Sequence, residues 1–226
     1  MELKAARLGK DNNYDSTAWF YEKVAHLFSG GQILACKRSQ VPHFIKGEKV
    51  LFAGSGGGED ALLALNKGSH VSIVELSGKM IDQAAKKFKA HPFEKNLKIH
   101  HKNIFDYQSI ETYDVVVANF FLNVFKESDM SKALNHLVSL LRPGGKLIIG
   151  DFSPPSGGAI NKFLQKAHFK LASLFFHLLT NNPIHPIYRY QDYFEENGLV
   201  LIEKSFFTPL GLISDGYYSL VTVKRN

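Results

Sequence analysis

From Val50 onward, short apolar runs alternate with amphipathic segments, and this alternation limits the choice of fold more than any other feature of the chain. It is the pattern expected when parallel strands are joined by helices that pack on both faces of a sheet. The run at 115–118 is continuously apolar, as a strand buried on both faces should be. We predict strands at 49–53, 71–75, 97–101, 114–119 and 146–151, and helices at 58–67, 77–89 and 129–141.

The end of the chain departs from this alternation. Two strand-like runs, 199–207 and 217–224, are joined by a connection that is too short for a crossover helix, so we expect them to pair antiparallel. Before them, the sequence Arg-Pro-Gly-Gly-Lys at 142–146 is predicted to end a helix and turn into the fifth strand. The predicted fold class is therefore α/β, a Rossmann-like doubly wound sheet of five parallel strands plus a C-terminal antiparallel hairpin.

Two helical additions are predicted around this sheet. Residues 14–46 read as a helical leader and 153–197 as a helical lid insertion, within a single domain covering 1–226. The insertion contains apolar residues at helical spacing and lysines every four residues on another face. We leave open whether this helix covers the core or forms a lid over an apolar substrate and touches a membrane. The apolar set is Ile160, Phe163, Leu164, Ala167, Leu171, Leu174, Phe175 and Leu178, and the basic set is Lys162, Lys166 and Lys170.

Composition narrows the class of protein. Of 226 residues, 45% are hydrophobic, which argues against disorder, and every long apolar stretch is interrupted by Lys or His, which argues against a transmembrane helix. The N-terminus lacks the apolar core of a secretory signal, so we expect a soluble, cytoplasmic protein. Cys36 is the single cysteine, which excludes an internal disulfide and a Cys-cluster zinc site. The histidines lack ligand spacing, and we predict no metal.

The net charge of +6 suggests an acidic partner without identifying one. Residues 86–102 contain six lysines and only Glu94 as an acid. This stretch lacks the arginines and interleaved aromatics that are typical of a nucleic-acid surface. We therefore interpret it as a solvated helix end and loop.

A glycine-rich loop follows the first predicted strand, in the sequence Ala-Gly-Ser-Gly-Gly-Gly-Glu at 53–59. Glycine lets the backbone approach a ligand closely, and the free N–H groups at a helix start favour a polar ligand. The third glycine of a dinucleotide fingerprint would fall at Glu59, whose carboxylate would oppose a pyrophosphate, so NAD and FAD are disfavoured. The alternating glycines Gly54, Gly56 and Gly58 fit an adenosine derivative without phosphates.

Glu75 ends the second predicted strand at the edge of the sheet where open α/β folds bind ligands. Its two carboxylate oxygens can accept hydrogen bonds from both hydroxyls of a ribose. The alternative is a charge that stabilises the N-terminus of the following helix. The position of Glu75 at this edge and its spacing from the glycine loop together favour the role of binding a ribose.

With these motifs in order, the chain resembles a class I S-adenosylmethionine-dependent methyltransferase over most of residues 14–225. The resemblance implies S-adenosyl-L-methionine as cofactor, with its methionine half on the glycine loop and its ribose on Glu75. It places Asn119 near the transferable methyl group. The cofactor-binding residues that it implies are Ala53, Gly54, Ser55, Gly56, Gly57, Gly58, Glu75, Leu76, Met80, Asn103, Ile104 and Asn119; Tyr14 and Tyr21 of the leader are candidates to close over the cofactor.

One position departs from this family. Many members have Asp or Glu where this chain has Phe52, and that acid helps to hold the methionine amino group. More narrowly, the leader and the Gly-Asp-Phe-Ser-Pro-Pro at 150–155 resemble the ubiquinone/menaquinone biosynthesis C-methyltransferases and related phospholipid N-methyltransferases. The insertion then lacks an extra helix that the quinone enzymes have.

The predicted reaction is methyl transfer to a small, largely apolar acceptor such as a quinone, a phenol or a lipid-like molecule. Such an acceptor needs a base if a proton must leave, and Asp151, His185, Tyr188 and Tyr190 are the candidates near the expected mouth. Two alternatives stay open: an RNA-directed methyltransferase that uses the 86–102 stretch, and a non-catalytic adenosyl-binding protein.

Overall fold

The structure, a computed structural model, describes residues 18–180 and 182–225, with side chains described for 23–178 and 182–225. A seven-stranded sheet has the strand order β3-β2-β1-β4-β5-β7-β6. Its first five strands are parallel, and β7 pairs antiparallel with both β5 and β6, which confirms the predicted fold class. The strands are β1 Lys49–Ala53, β2 His70–Glu75, β3 Leu97–His101, β4 Tyr113–Asn119, β5 Leu141–Phe152, β6 Leu199–Phe207 and β7 Tyr217–Lys224.

Helices cover both faces of this sheet. Alternate β1 residues point to opposite faces, so Val50 and Phe52 join one buried cluster while Leu51 and Ala53 join the other. Two of the helices, α3 and α4, pack on the first face and α5 packs on the second. The helices are α1 Ala18–Ser29, α2 Gln32–Ser39, α3 Glu59–Asn66, α4 Gly78–Phe88, α5 Glu127–Ser139 and α6 Ala159–Thr180.

The start of β5 differs from the prediction. The strand begins at Leu141, not at residue 146, because the buried Leu141 already pairs with Tyr113 of β4. Pairing resumes between Val115 and Lys146, so residues 142–145 bulge out of the ladder instead of forming a simple turn. The Arg142 Nε donates a 2.6 Å hydrogen bond to Asp114 across this bulge.

The orientation of α6 is unexpected. The apolar stripe named above faces largely outward, and the helix packs inward through Gln165, His168 and Ala172. The Gln165 amide accepts a hydrogen bond from the Ser156 N–H and donates to two carbonyl oxygens in the β6–β7 connection. These polar contacts, together with the packing of Ala172 and Phe169 on Phe152, fix this helix without using its apolar stripe.

We expect Gln165→Ala to lower the free energy of unfolding by about 1–3 kcal/mol, because it leaves the Ser156 N–H and the Ser214 and Asp215 carbonyls without this partner. Urea unfolding at neutral pH measures the change. Lys166→Ala, on the exposed side of the same helix, is the matched control. An equal, small effect of both substitutions would contradict this account of the helix.

Candidate functional site

The loop between β1 and α3 depends on its glycines. Gly54, Gly56 and Gly58 have φ values of +65°, +54° and +82°, which side-chain-bearing residues rarely adopt. A Cβ at Gly54 would lie 2.3 Å from the Phe121 ring, and one at Gly58 would lie 2.8 Å from Phe88. At Gly54 and Gly58 the loop therefore packs against aromatic rings too closely for any larger residue, whereas a Cβ at Gly56 would meet only the Met80 Sδ, at 3.9 Å.

Glu75 ties this loop to the end of β2. Its Oε2 accepts a 3.1 Å hydrogen bond from the Gly56 N–H, and its Oε1 accepts 2.9 Å bonds from the N–H groups of Leu76 and Ser77. Burial raises the pKa of Glu75, and these backbone bonds oppose the rise. Because Oε2 receives only one backbone donor, it can still accept a ligand hydroxyl.

A cavity of about 740 Å³ opens beside this pair of features. The predicted cofactor residues that line it are Gly54, Ser55, Gly56, Gly57, Glu75, Leu76, Met80, Asn103, Ile104 and Asn119. Ala53 and Gly58 are buried just beneath the lining, Tyr14 lies outside the described residues, and the Tyr21 side chain is outside them as well. The structure therefore brings most of the predicted set to one place.

The remaining lining is mainly apolar. It comes from the leader helices, from the loop after β4 and from α6. This part of the cavity has room for an uncharged molecule next to the glycine loop. Its side chains include Val24, Leu27, Phe28, Ile33, Leu34, Phe120, Phe121, Phe152, Leu171, Leu174, Phe175 and Leu178.

A buried polar network, which the sequence analysis did not identify, supports the glycine loop from below. Asp60 Oδ1 accepts a hydrogen bond from the Ser55 hydroxyl, and Asp60 Oδ2 accepts one from the Asn119 amide at 3.0 Å. Asn119 and Gln40 exchange a reciprocal pair of amide hydrogen bonds at 2.7 and 2.9 Å. Lys37 Nζ lies 3.7 Å from Asp60 Oδ2 and also lines the cavity. The leader helix α2 is thereby joined to β4 and to the loop.

Phe52 takes no part in the cavity. Its ring is 1% exposed and packs against Phe44 in the cluster between the sheet and helices α3 and α4. The charged residues that line the cavity are instead Lys37, Glu59, Glu75 and Lys102.

The candidate base Asp151 is buried on β5 and does not line the cavity. Its carboxylate accepts hydrogen bonds from the Tyr190 hydroxyl at 2.7 Å, from the Asn123 amide at 2.6 Å and from the Phe152 N–H at 2.7 Å. Burial raises the pKa of Asp151 from 3.8 to about 6, although the hydrogen bonds act in the opposite direction.

His185 and Tyr188 converge on the same loop. The Tyr188 hydroxyl donates to the Phe125 carbonyl at 2.9 Å, and the His185 Nε2 forms a hydrogen bond with the Asn123 carbonyl. Their rings stack at 4.6 Å. Neither side chain lines the cavity. Together with Asp151 they hold the 120–125 loop, and most side chains of that loop line the cavity.

Two further observations bear on the predicted chemistry. Among residues 18–180 and 182–225, no group of three or more His, Cys, Asp or Glu side chains is placed to hold a metal ion. Within the same residues, no helix is both long and apolar enough to cross a membrane.

Comparison with known proteins gives a consistent result. Residues 51–147 match the family described as "Methyltransferase domain". The ubiquinone/menaquinone biosynthesis C-methyltransferase UbiE of Vibrio campbellii is 26% identical over 175 residues, which are 75% of this chain and 67% of that protein. The demethylmenaquinone methyltransferase of Clavibacter sepedonicus is 24% identical over 147 residues, or 63% of this chain and 57% of that protein. The aligned regions thus span about two thirds or less of these relatives.

Solved structures share the fold. The N-methyltransferase NodS of Bradyrhizobium japonicum WM9, in complex with S-adenosyl-L-homocysteine, superposes with a TM-score of 0.71 at 13% identity and covers 96% of this chain and 100% of that one. The magnesium protoporphyrin IX methyltransferase ChlM of Synechocystis PCC 6803, with bound S-adenosylhomocysteine, gives 0.68 at 18% identity, with 94% and 95% coverage.

The raised pKa of Asp151 predicts a pH-dependent stability. As the pH rises from 3.8 to about 6, the Asp151 carboxyl loses its proton in the unfolded state but keeps it in the folded state. The contribution of the protonated carboxyl to stability is therefore full below pH 4 and is lost as the pH rises through 6. Relative to Asp151→Asn, we expect the wild type to lose on the order of 3 kcal/mol of unfolding free energy from pH 4 to pH 7.

Urea unfolding of both proteins across this range checks the prediction, with the exposed Asp192→Asn as the matched control. A difference between wild type and Asp151→Asn that stays constant with pH would show that Asp151 does not titrate in this way.

Proposed function

We propose that this chain is a class I S-adenosylmethionine-dependent methyltransferase that methylates a small, largely apolar acceptor of the quinone, phenol or lipid type. The observation that carries the proposal is that a single cavity joins a polar loop suited to an adenosyl cofactor with a wall of apolar side chains. The names of the Vibrio and Clavibacter relatives point in the same direction, toward a quinone.

The adenosyl half of the cofactor fits the residues at the ends of β1 and β2. Glu75 would accept the ribose hydroxyls, since its Oε2 keeps an acceptor site and faces the glycine loop. Met80 and Ile104 are buried apolar side chains that would flank the adenine, with Leu76 on the exposed side. Asn103 would lie along the remaining edge.

The methionine half needs a different arrangement from the one common in the family, because Phe52 offers no carboxylate. In the family, the acid at this position helps to hold the positively charged amino group of the methionine half. We infer that Lys37 holds the same half of the cofactor by binding its negatively charged carboxylate. It lines the cavity next to the glycine loop, and Asp60 holds its ammonium group from below. Glu59 is the acid that remains available to the amino group.

When bound, S-adenosylmethionine supplies a methyl group on a positively charged sulfur that is a good leaving group. The protein's main task is then to hold the acceptor in line and to exclude water, and such positioning can lower a barrier by roughly 7–11 kcal/mol in favourable cases. The apolar side chains of α1 and α6 would do both. We propose that Asp151, His185 and Tyr188 are positioning residues, which act by fixing the 120–125 loop beside the acceptor.

Transfer of radiolabelled methyl from S-adenosylmethionine to a panel of acceptors tests the function. Demethylmenaquinone, a simple phenol and phosphatidylethanolamine represent the three acceptor classes. Label in one of the three methylated products supports the proposal and identifies the acceptor class. Label that enters only RNA or protein would refute it.

We expect Glu75→Ala to weaken binding of S-adenosylhomocysteine at least tenfold, because hydrogen bonds to a charged partner contribute about 1.5–3 kcal/mol. Glu75→Gln should have a smaller effect, since its amide oxygen still accepts. Isothermal titration calorimetry measures both, with the exposed Asp82→Ala on α4 as the control. Unchanged affinity in a folded Glu75→Ala protein would contradict the site.

We expect Lys37→Met to weaken S-adenosylhomocysteine about tenfold or more and to leave 5′-methylthioadenosine, which lacks the amino-acid tail, unaffected. Arg38→Met removes an exposed neighbouring cation and is the matched control. Equal loss of both ligands would mean that Lys37 acts only through the loop, and no loss of either would remove it from the site.

A further inference from the structure

The outward face of α6 is unusually apolar for a helix of a water-soluble fold. Ile160, Phe163, Leu171 and Leu178 are 78%, 69%, 62% and 74% exposed. Their separations of 3, 8 and 7 residues align these side chains along one side of a helix. Contiguous apolar surface of this kind marks an interaction site more often than scattered apolar residues do.

This face cannot turn inward without breaking specific contacts. Gln165 bonds the backbone at Ser156, Ser214 and Asp215, as described above. One turn further along, His168 forms a 2.8 Å hydrogen bond with the Tyr217 hydroxyl and stacks on Phe28 at 4.1 Å. Both anchors are nearly fully buried, so the exposure of the opposite face is built into the fold.

The charges on α6 all have one sign. Lys162, Lys166 and Lys170 are exposed, and the helix contains no Asp or Glu. Their spacing of four residues places them along one flank of the apolar stripe. A helix with an apolar face, aromatic and leucine side chains and a row of lysines is suited to the interface of an anionic bilayer.

The exposed stripe is also continuous with the cavity. Leu171, Leu174, Phe175 and Leu178 belong to the stripe and line the cavity as well. Leu27 of α1, which is 79% exposed, lines the cavity too. An apolar molecule that left a bilayer at this face would enter the cavity without crossing water.

We propose that the exposed face of α6 docks on the surface of an anionic phospholipid bilayer and draws the apolar acceptor from it. The route of the acceptor rests on the proposed function, whereas the docking does not. A second copy of the chain fits this face less well, because a twofold contact would bring the lysine rows of both copies to the same interface.

Flotation with vesicles tests the docking. The full chain should float with vesicles of equal parts phosphatidylcholine and phosphatidylglycerol, and much less with phosphatidylcholine alone. Each lysine near an anionic surface strengthens binding about fivefold. The triple substitution of Lys162, Lys166 and Lys170 by Gln should therefore weaken binding on the order of a hundredfold.

Two further variants separate charge from apolar contact. Ile160→Gln with Phe163→Gln removes apolar side chains that do not line the cavity, and it should also abolish flotation. Substitution of Lys86, Lys89 and Lys95 by Gln removes the same charge from exposed positions near β3, at the other edge of the sheet, and should leave binding almost unchanged.

Binding of S-adenosylhomocysteine should be the same in all these proteins, which distinguishes failure of the docking from failure of the proposed function. The docking is overturned if the wild type binds the nucleoside but ignores anionic vesicles, or if the control triple variant loses flotation as fully as the α6 variant. It is also overturned if light scattering shows a dimer that the Ile160 and Phe163 substitutions dissociate while the wild type does not float.

Discussion

The hydrogen bond from the Gly56 N–H to Glu75 joins the ends of two adjacent parallel strands, and the cavity takes its shape from that link. Parallel pairing of β1 with β2 brings both carboxyl ends to the same edge of the sheet. The glycines then let the loop turn with positive φ values. Burial of the Glu75 carboxylate is unfavourable, and three backbone N–H groups offset part of that penalty. Oε2, which receives the Gly56 N–H, is also the oxygen that we propose accepts from the ribose.

A second layer of polar contacts holds the rest of the lining in place. The Gln40 and Asn119 amides fix the end of α2 against the end of β4, and Asp151, which accepts from Asn123, fixes the loop that follows. A carboxylate that is buried among donors is well suited to holding a loop and poorly suited to meeting an acceptor in the cavity. This arrangement, with buried hydrogen bonds behind a mostly apolar lining, is what supports the proposal that the site acts by positioning the acceptor.

Local sequence was sufficient for the glycine loop and for the strands, apart from the start of β5, because burial on both faces produces continuous apolar runs and a turn with positive φ values needs glycine. It was insufficient where a residue's role depends on a distant partner. Helical periodicity identified the apolar stripe of α6 but could not decide which side meets solvent, since that choice depends on Gln165 reaching Ser214 and His168 reaching Tyr217. The pairing of Lys37 with Asp60 across two helices has no local signature for the same reason.

The way α6 is anchored also explains how one helix can line a cavity and keep an apolar face outside. A helix held through its apolar stripe would bury that stripe, and its lysines alone would face water. Here a buried amide and a buried imidazole help to fix the helix from its other side, so part of the stripe faces solvent and part lines the cavity. Exposed apolar area is unfavourable in water at roughly 25 cal/mol per Å². A surface that covers the stripe recovers that free energy, so the polar anchoring of α6 makes association with an apolar phase favourable while the sheet and the glycine loop stay unchanged.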